Sequence, residues 1–177
     1  MKVITISGKA QHGKDTAANN IKNQLVSEGA KVLIVHFADY LKFIAERYFG
    51  WDGQKDEAGR TLLQQLGTDI GRHANDNMWA KIVLELLKGF SDMFDYVIIP
   101  DTRFPDEIEL MKTNFNTVSI LVDRLGFDNG LTEEQKNHPS ETALDYYSFD
   151  YVMPVLETLA CANVAVMVML KQRTNIR

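Results

Sequence analysis

Apolar positions fall along the chain in two alternating rhythms: short β-branched runs, and longer stretches with apolar residues at three- and four-residue steps. Residues 2–7 (KVITIS) form the first run and predict a short buried strand. Residues 14–27 follow with Ala17, Ile21 and Leu25 on one helical face, and Gly29 is placed to stop that helix. Residues 31–37 (KVLIVHF) read as a second strand, and 38–49 as a helix carrying Leu41, Ile44 and Ala45 on one side. A polar turn region, 50–56, leads to two further helices at 57–73 and 78–90. Residues 96–100 (YVIIP) read as a third strand, 105–112 as a helix with proline at an early position, and 117–122 (TVSILV) as a fourth strand. Residues 124–139 are polar with little apolar periodicity, and 151–153 suit a short fifth strand. From residue 155 onward Val155, Leu159, Val166 and Leu170 keep helical spacing, although the end also alternates like a strand. Strands separated by helices predict βαβ units: an α/β fold with a parallel sheet covered on both faces.

Composition adds limits. A length of 177 residues suits one domain with room for an insertion or a lid. The net charge of −5 writes no strong attraction to nucleic acid into the chain. Cys161 is the sole cysteine, so an intrachain disulfide is excluded, which fits a reducing compartment. The apolar run at the amino end is too short for a signal peptide. Residues 164–170 (VAVMVML) fall well short of the about 20 that a membrane span needs and read as a buried core element.

One stretch suggests chemistry: GKAQHGKDT, residues 8–16, between the first strand and the first helix. A phosphate-binding loop of the form G-x-x-x-x-G-K-[ST] belongs in that context. Gly8, Gly13 and Lys14 match it. Asp15 stands where the motif has a metal-binding hydroxyl, and Thr16 comes one residue late. A glycine turn wraps phosphate with backbone N–H groups and the helix behind it aims its positive end at the anion. Lys14 adds a full charge beside the transferring group. Gly8, Lys9, His12, Gly13, Lys14, Asp15 and Thr16 are thus candidate nucleotide-binding residues. Asp15 and Thr16 both offer an oxygen that suits Mg²⁺, and which one faces the metal stays open. The plain alternative is a glycine turn with no ligand.

The remaining candidates cluster around the strand ends. In VIIPDTR, residues 97–103, Asp101 sits at a strand's carboxyl end like a Walker B acid. Arg103 suits a phosphate, and equally a surface ion pair with Asp106 or Glu107. In FADYLK, residues 37–42, Asp39 reaches the same sheet edge, as a site acid or as a helix N-cap, with Lys42 beyond it. Arg60, Gln64, Thr68 and Arg72 recur at four-residue steps opposite Leu62, Leu63 and Leu66. That stripe suits a solvated face, and equally a clamp for a monophosphate with a base edge read beside it. Trp79 suits the core or a base-stacking platform. The segment 124–139 suits a closing lid that brings in a cation, Arg124 before Lys136. His138 reads as a loop residue, and Ser140, Glu141 and Leu144 as a helix start.

Taken together, GKAQHGKDT, FADYLK, RTLLQQLGTDIGR, Trp79, VIIPDTRFPDEIE and HPSE resemble the phage-type deoxynucleoside monophosphate kinases of the P-loop nucleoside monophosphate kinase group. The GKDT form of the loop is usual there, and the match runs in order from residue 3 to about residue 153. The resemblance implies transfer of the γ-phosphoryl of ATP to a dNMP, giving a dNDP, with Mg²⁺. It implies one P-loop kinase domain over residues 1–177: a parallel five-stranded sheet, a helical monophosphate-binding insertion at about 38–90 and a lid at about 124–140. Within that reading Lys14, Arg124, Arg103 and Asp39 are the catalytic candidates, and Asp15, Thr16 and Asp101 the metal candidates. Asp39, Lys42, Arg60, Gln64, Thr68, Arg72, Trp79, Asp101, Arg103 and Glu141 fall to the substrate. The resemblance implies small-molecule partners, neither a nucleic-acid polymer nor a membrane, and is compatible with a homodimer; a cytoplasmic setting (the host's, if phage-encoded) is expected from the absence of targeting signals alone. Two other classes fit parts of the pattern. One is a P-loop kinase of a non-nucleotide acceptor such as dephospho-coenzyme A or phosphomevalonate, where a hydroxyl would take Asp39 as its base. The other is a non-catalytic nucleotide-binding module or switch, although no NKxD guanine signature is present.

Overall fold

In the computed structural model, which describes residues 1–71 and 77–155, every position of Lys2–Ser7 (β1) is buried. A strand covered on both faces demands a continuous apolar and β-branched run, and KVITIS comes close to one. β1 is the central strand of five. Val32–Ile34 (β2), Tyr96–Ile99 (β3), Asn116–Asp123 (β4) and Tyr151–Pro154 (β5) complete a sheet in the order β2-β3-β1-β4-β5. All its pairings are parallel, with Lys2 opposite Tyr96 on one side and Asn116 on the other. The α/β fold with a five-stranded parallel sheet is therefore the one that forms.

The helices are Lys14–Ser27 (α1), Asp39–Phe49 (α2), Glu57–Gln64 (α3), Met78–Gly89 (α4), Pro105–Asn114 (α5), Glu133–Asn137 (α6) and Pro139–Thr142 (α7) among the described residues. The pleat sorts the strand side chains between two cores. Ile4, Ile6, Ile98, Val118 and Ile120 pack with Ala17, Ala18, Ile21 and Leu25 of α1. Val3, Val97 and Ile99 point the other way, onto Ala80, Val83, Leu84 and Leu87 of α4 and Met111 of α5. A third, smaller core joins Leu41 and Ala45 of α2 to Trp51 and Leu66, with Leu62, Leu63 and Trp79 packed against it. No helix among the described residues is long and apolar enough to cross a membrane.

Several boundaries differ from the periodicity, each for a local reason. β2 is shorter than residues 31–37. Val35 N–H still reaches Ile98 O, but His36 N–H then turns to the Asp39 carboxylate, and Phe37 N–H and Ala38 N–H to that of Asp101. β3 stops before Pro100, which has no N–H for the ladder. Of the helix expected over 57–73, the described part is α-helical to Gln64 and continues as a π-helical turn, Gln65–Ile70. Residues 124–139 are more structured than their composition suggests. A capping box between Thr132 and Gln135 starts α6, and Leu131 and Gln135 are buried. Arg72 and the apolar segment from residue 156 lie outside the described residues.

Candidate active site

Residues 8–16 leave the carboxyl end of β1 and enter α1. Gly8 has φ +146°, and a Cβ there would stand 2.4 Å from the Val122 carbonyl oxygen, so the loop passes β4 too closely for any side chain. Gln11 has φ 60°, an uncommon backbone state for a residue with a side chain, and its Nε2 donates to Asn129 O at 2.9 Å. No side chain caps α1. Its first-turn N–H groups have no intrahelical acceptor, and an anion is their natural partner. Lys14 is buried and folds over the loop, donating to Gly8 O and Lys9 O at 2.8 Å each. Burial, assisted by the Arg103 charge, holds its pKa down to about 7.

The candidate acids surround the same strand ends. Asp101 accepts from Phe37 N–H at 2.9 Å and Ala38 N–H at 3.0 Å, one with each oxygen. Asp15 is exposed and meets His36 Nε2 at 3.4 Å. That contact lowers the Asp15 pKa, with the Lys55 and Lys14 charges adding to it. Thr16 is exposed beside it. Asp39 is the first residue of α2 and Ala38, not Asp39, is its N-cap. The Asp39 carboxylate accepts from His36 N–H at 3.0 Å and pairs with Lys42 at 3.4 Å. Among the described residues no three His, Cys, Asp or Glu side chains form a ready-made metal cage. Mg²⁺ does not require one, because it keeps several waters and is held by one or two carboxylates plus substrate phosphates. The carboxylates of Asp15 and Asp101 and the hydroxyl of Thr16 fit that donor chemistry.

A cavity of about 300 Å³ joins the loop to the helices beyond it. Ala10, Gln11, Lys14, Asp101 and Arg103 line one side. Lys42, Lys55, Arg60, Gln64, Thr68 and Trp79 line the other, and Leu131 and Glu141 also contribute. Arg60, Gln64 and Thr68 of the polar stripe therefore face a cleft. The stripe's π-helical section helps, because a wider turn keeps residues four apart closer to one line than an α-helix does. Trp79 packs on the third core, lines the cleft, and donates Nε1–H to Gly67 O at 3.0 Å.

Arg103 finds a different partner from those expected of it. Its ion pair is with buried Glu141 at 2.6 Å, whereas the Glu107 carboxylate takes the backbone N–H groups of Arg103 and Phe104. Glu141 also accepts from Ala10 N–H at 3.0 Å, tying α7 to the loop and the guanidinium at once. Lys9 turns away from the cleft to Glu141 O and Asp145. His12 is buried behind the loop. Its Nδ1 accepts from Arg124 N–H at 3.1 Å, and burial, then the Lys14 charge, lowers its pKa. The Arg124 guanidinium lies on the Phe127 ring, 3.8 Å from its centroid, and Lys136 pairs with Glu133 and Asp128. Neither cation lines the cleft, nor do Asp15, Thr16 and Asp39. Gln11, Lys55 and Glu107 line it without any periodic or motif signal; they are a variable loop position, a turn residue and one more surface-type acid in the sequence.

Comparison with known proteins bears on this cleft. The family model described as "Deoxynucleotide monophosphate kinase" matches residues 35–160, most of the chain. No curated protein sequence matches. Among solved structures, shikimate kinase from Aquifex aeolicus superposes with a TM-score of 0.56 at 13% identity, each chain covered in full (100%). The APS kinase CysC of Mycobacterium tuberculosis, in complex with AMPPNP and APS, gives 0.54 at 11% identity, covering 96% of this chain and 97% of its own. At these identities the likeness is one of fold.

Proposed function

Because the chain belongs to the deoxynucleotide monophosphate kinase family, and is a phosphotransferase of the nucleotide kinase class, we propose that it transfers the γ-phosphoryl of ATP to a deoxynucleoside monophosphate, giving a dNDP and ADP. The observation that carries this reading is one cavity with the phosphate loop and Lys14 on one wall and Lys42, Arg60, Gln64, Thr68 and Trp79 on the other. The first wall suits a triphosphate. The second suits an acceptor that is itself an anion with a planar base. The domain reading follows: residues 1–177 are one kinase domain, the acceptor wall comes from the 38–90 insertion, and 124–140 serves as the lid.

The chemistry asks little of a base. A phosphate monoester has a second pKa of about 6, so near pH 7 the attacking oxygen already carries charge. Rate then rests on alignment and on cations placed where negative charge gathers. Lys14 is the cation beside the triphosphate; Arg103, at the junction of loop and cleft, faces the transferring group. Arg60, with Lys42, orients the acceptor phosphate, Gln64 and Thr68 read the base edge, and Trp79 supports the ring. Arg124 approaches when the lid closes. Asp101 with Asp15 or Thr16 would hold Mg²⁺, which supplies charge neutralisation on the phosphates when bound. Asp39 acts through the acceptor end of this arrangement and does not remove a proton.

A coupled ATP-consumption assay with Mg²⁺ over all common dNMPs and NMPs tests the reading. Turnover with one or more dNMPs is the expected result. ATP binding with no turnover on any nucleotide overturns it and favours a non-nucleotide acceptor. In the same assay Arg60→Ala is expected to raise the dNMP KM on the order of 10-fold, the worth of a charge-assisted contact. The ATP KM should barely change.

A further inference from the structure

Lys55 is a cation that neither motif nor periodicity singles out, and it lines the same cavity as Lys14, Asp101 and Arg103. It comes from the opposite wall, on the turn between α2 and α3. Its charge acts on Asp15, the residue after Lys14, and contributes to that carboxyl's lowered pKa after the His36 hydrogen bond. So Lys55 stands within electrostatic reach of the phosphate loop across the cleft. Of the other cations there, Lys14 is held by two carbonyl oxygens, Arg103 by Glu141 and Lys42 by Asp39, while Arg60 on the acceptor wall, like Lys55, has no ion pair or side-chain hydrogen bond among the described residues. Lys55 makes no ion pair and no side-chain hydrogen bond among the described residues.

The turn that carries it is firmly held. Trp51 is buried and donates Nε1–H to Gln54 O at 2.8 Å. Gln54 N–H donates to Asp52 at 2.9 Å, and the Asp56 carboxylate caps α3 through Gly59 N–H at 2.8 Å. Gly59 is packed so closely that a Cβ would stand 2.2 Å from Gln54 O. An unpaired ammonium on a braced turn that lines a cleft opposite the phosphate loop is a ready partner for an anion lying between the walls.

We infer that Lys55 is a catalytic residue that contacts the transferring phosphoryl group from the acceptor side, bridging the two nucleotides in the transition state. The inference rests on the dNMP kinase reading above. In the step it serves, an oxygen of the acceptor monophosphate forms a bond to Pγ. The bond from Pγ to the β–γ bridging oxygen breaks and its electron pair leaves on ADP. No proton need move when the acceptor is a dianion. Negative charge gathers on the oxygens of Pγ midway, where Lys55 meets Lys14 from the other wall.

The test compares wild type, Lys55→Met and Lys55→Arg. Lys55 is exposed, so neither change threatens the core. Lys55→Met is expected to lower kcat on the order of 100-fold. KM for ATP and for the dNMP should stay within about threefold, the mark of a contact made only in the transition state. Affinity for adenosine–thymidine pentaphosphate, which spans both sites, should fall on the order of 10-fold, and Lys55→Arg should recover part of each loss. A kcat within about threefold of wild type, or a loss confined to the dNMP KM, overturns the role of Lys55 while leaving the kinase reading intact. A wild-type protein that binds ATP but phosphorylates no dNMP overturns both.

Discussion

Lys14 lies buried against two carbonyl oxygens, and its pKa falls to about 7 because burial penalises the charged form. In an unfolded chain the same amine titrates at about 10.4. Between those values the unfolded chain holds a proton that the folded chain has released. Stability of the ligand-free protein therefore gains with pH from about 7 upward, by up to about 1.4 kcal/mol per pH unit from this group. Below that window both states are protonated and Lys14 adds no slope. Lys14→Met removes the contribution. Denaturant unfolding at pH 7 and pH 9 should show wild type gaining on the order of 2 kcal/mol relative to the variant. Identical pH dependence in the two proteins would mean that the lysine is not depressed. The same residue links stability to binding, since a triphosphate beside Lys14 restores the charged form and erases the extra slope.

At the next scale up, short elements depend on what they rest against. α6 has five residues, too few to be helical alone. Its Gln135 is buried, and Nε2 donates to Glu57 O and Thr61 Oγ1 of α3 at 3.3 Å each. His138 Nε2 lies 3.4 Å from Asp69, on the π-helical turn. The 124–140 segment is thereby docked on α3 and the π-helical turn, so under the proposed function acceptor binding and the position of this segment would be mechanically joined. Gln135→Ala is expected to leave the sheet intact, to speed amide hydrogen exchange across residues 124–140 and to lower kcat about 5- to 10-fold through imperfect closure. Unchanged exchange in that segment would show that the docking rests elsewhere.

For the molecule as a whole, the cleft lies where the chain changes direction in the sheet. From β1 it runs to β2 on one flank and returns to β4 on the other, and the loops at the carboxyl ends part around the gap. A ligand there bridges elements from most of the chain, so its binding free energy adds to global stability. At 100 times Kd, ATP with Mg²⁺ should stabilise the protein by about 2.7 kcal/mol, a rise of several degrees in Tm. Differential scanning calorimetry checks this. Lys14→Met should abolish the rise, and a full shift in that variant would place ATP away from the phosphate loop.

Local interactions along the chain were enough to determine β1, α1, the glycine loop between them and the alternation that makes the sheet parallel. β-branched runs, helical spacing and the left-handed φ of Gly13 act within a few residues and need no partner to be read. The same holds for Lys14, Asp101 and the four-residue stripe through Arg60, Gln64 and Thr68. Pairing across the fold decided the rest. Asp101 ended the β2 hydrogen bonding by taking the N–H groups of Phe37 and Ala38. Arg103 chose Glu141, 38 positions away, over nearby acids. Lys55 entered the cleft because Trp51 and Gly59 brace its turn there. A polar side chain's partner is set by which distant groups the packed backbone brings within about 3 Å, and no periodicity along the chain encodes that distance.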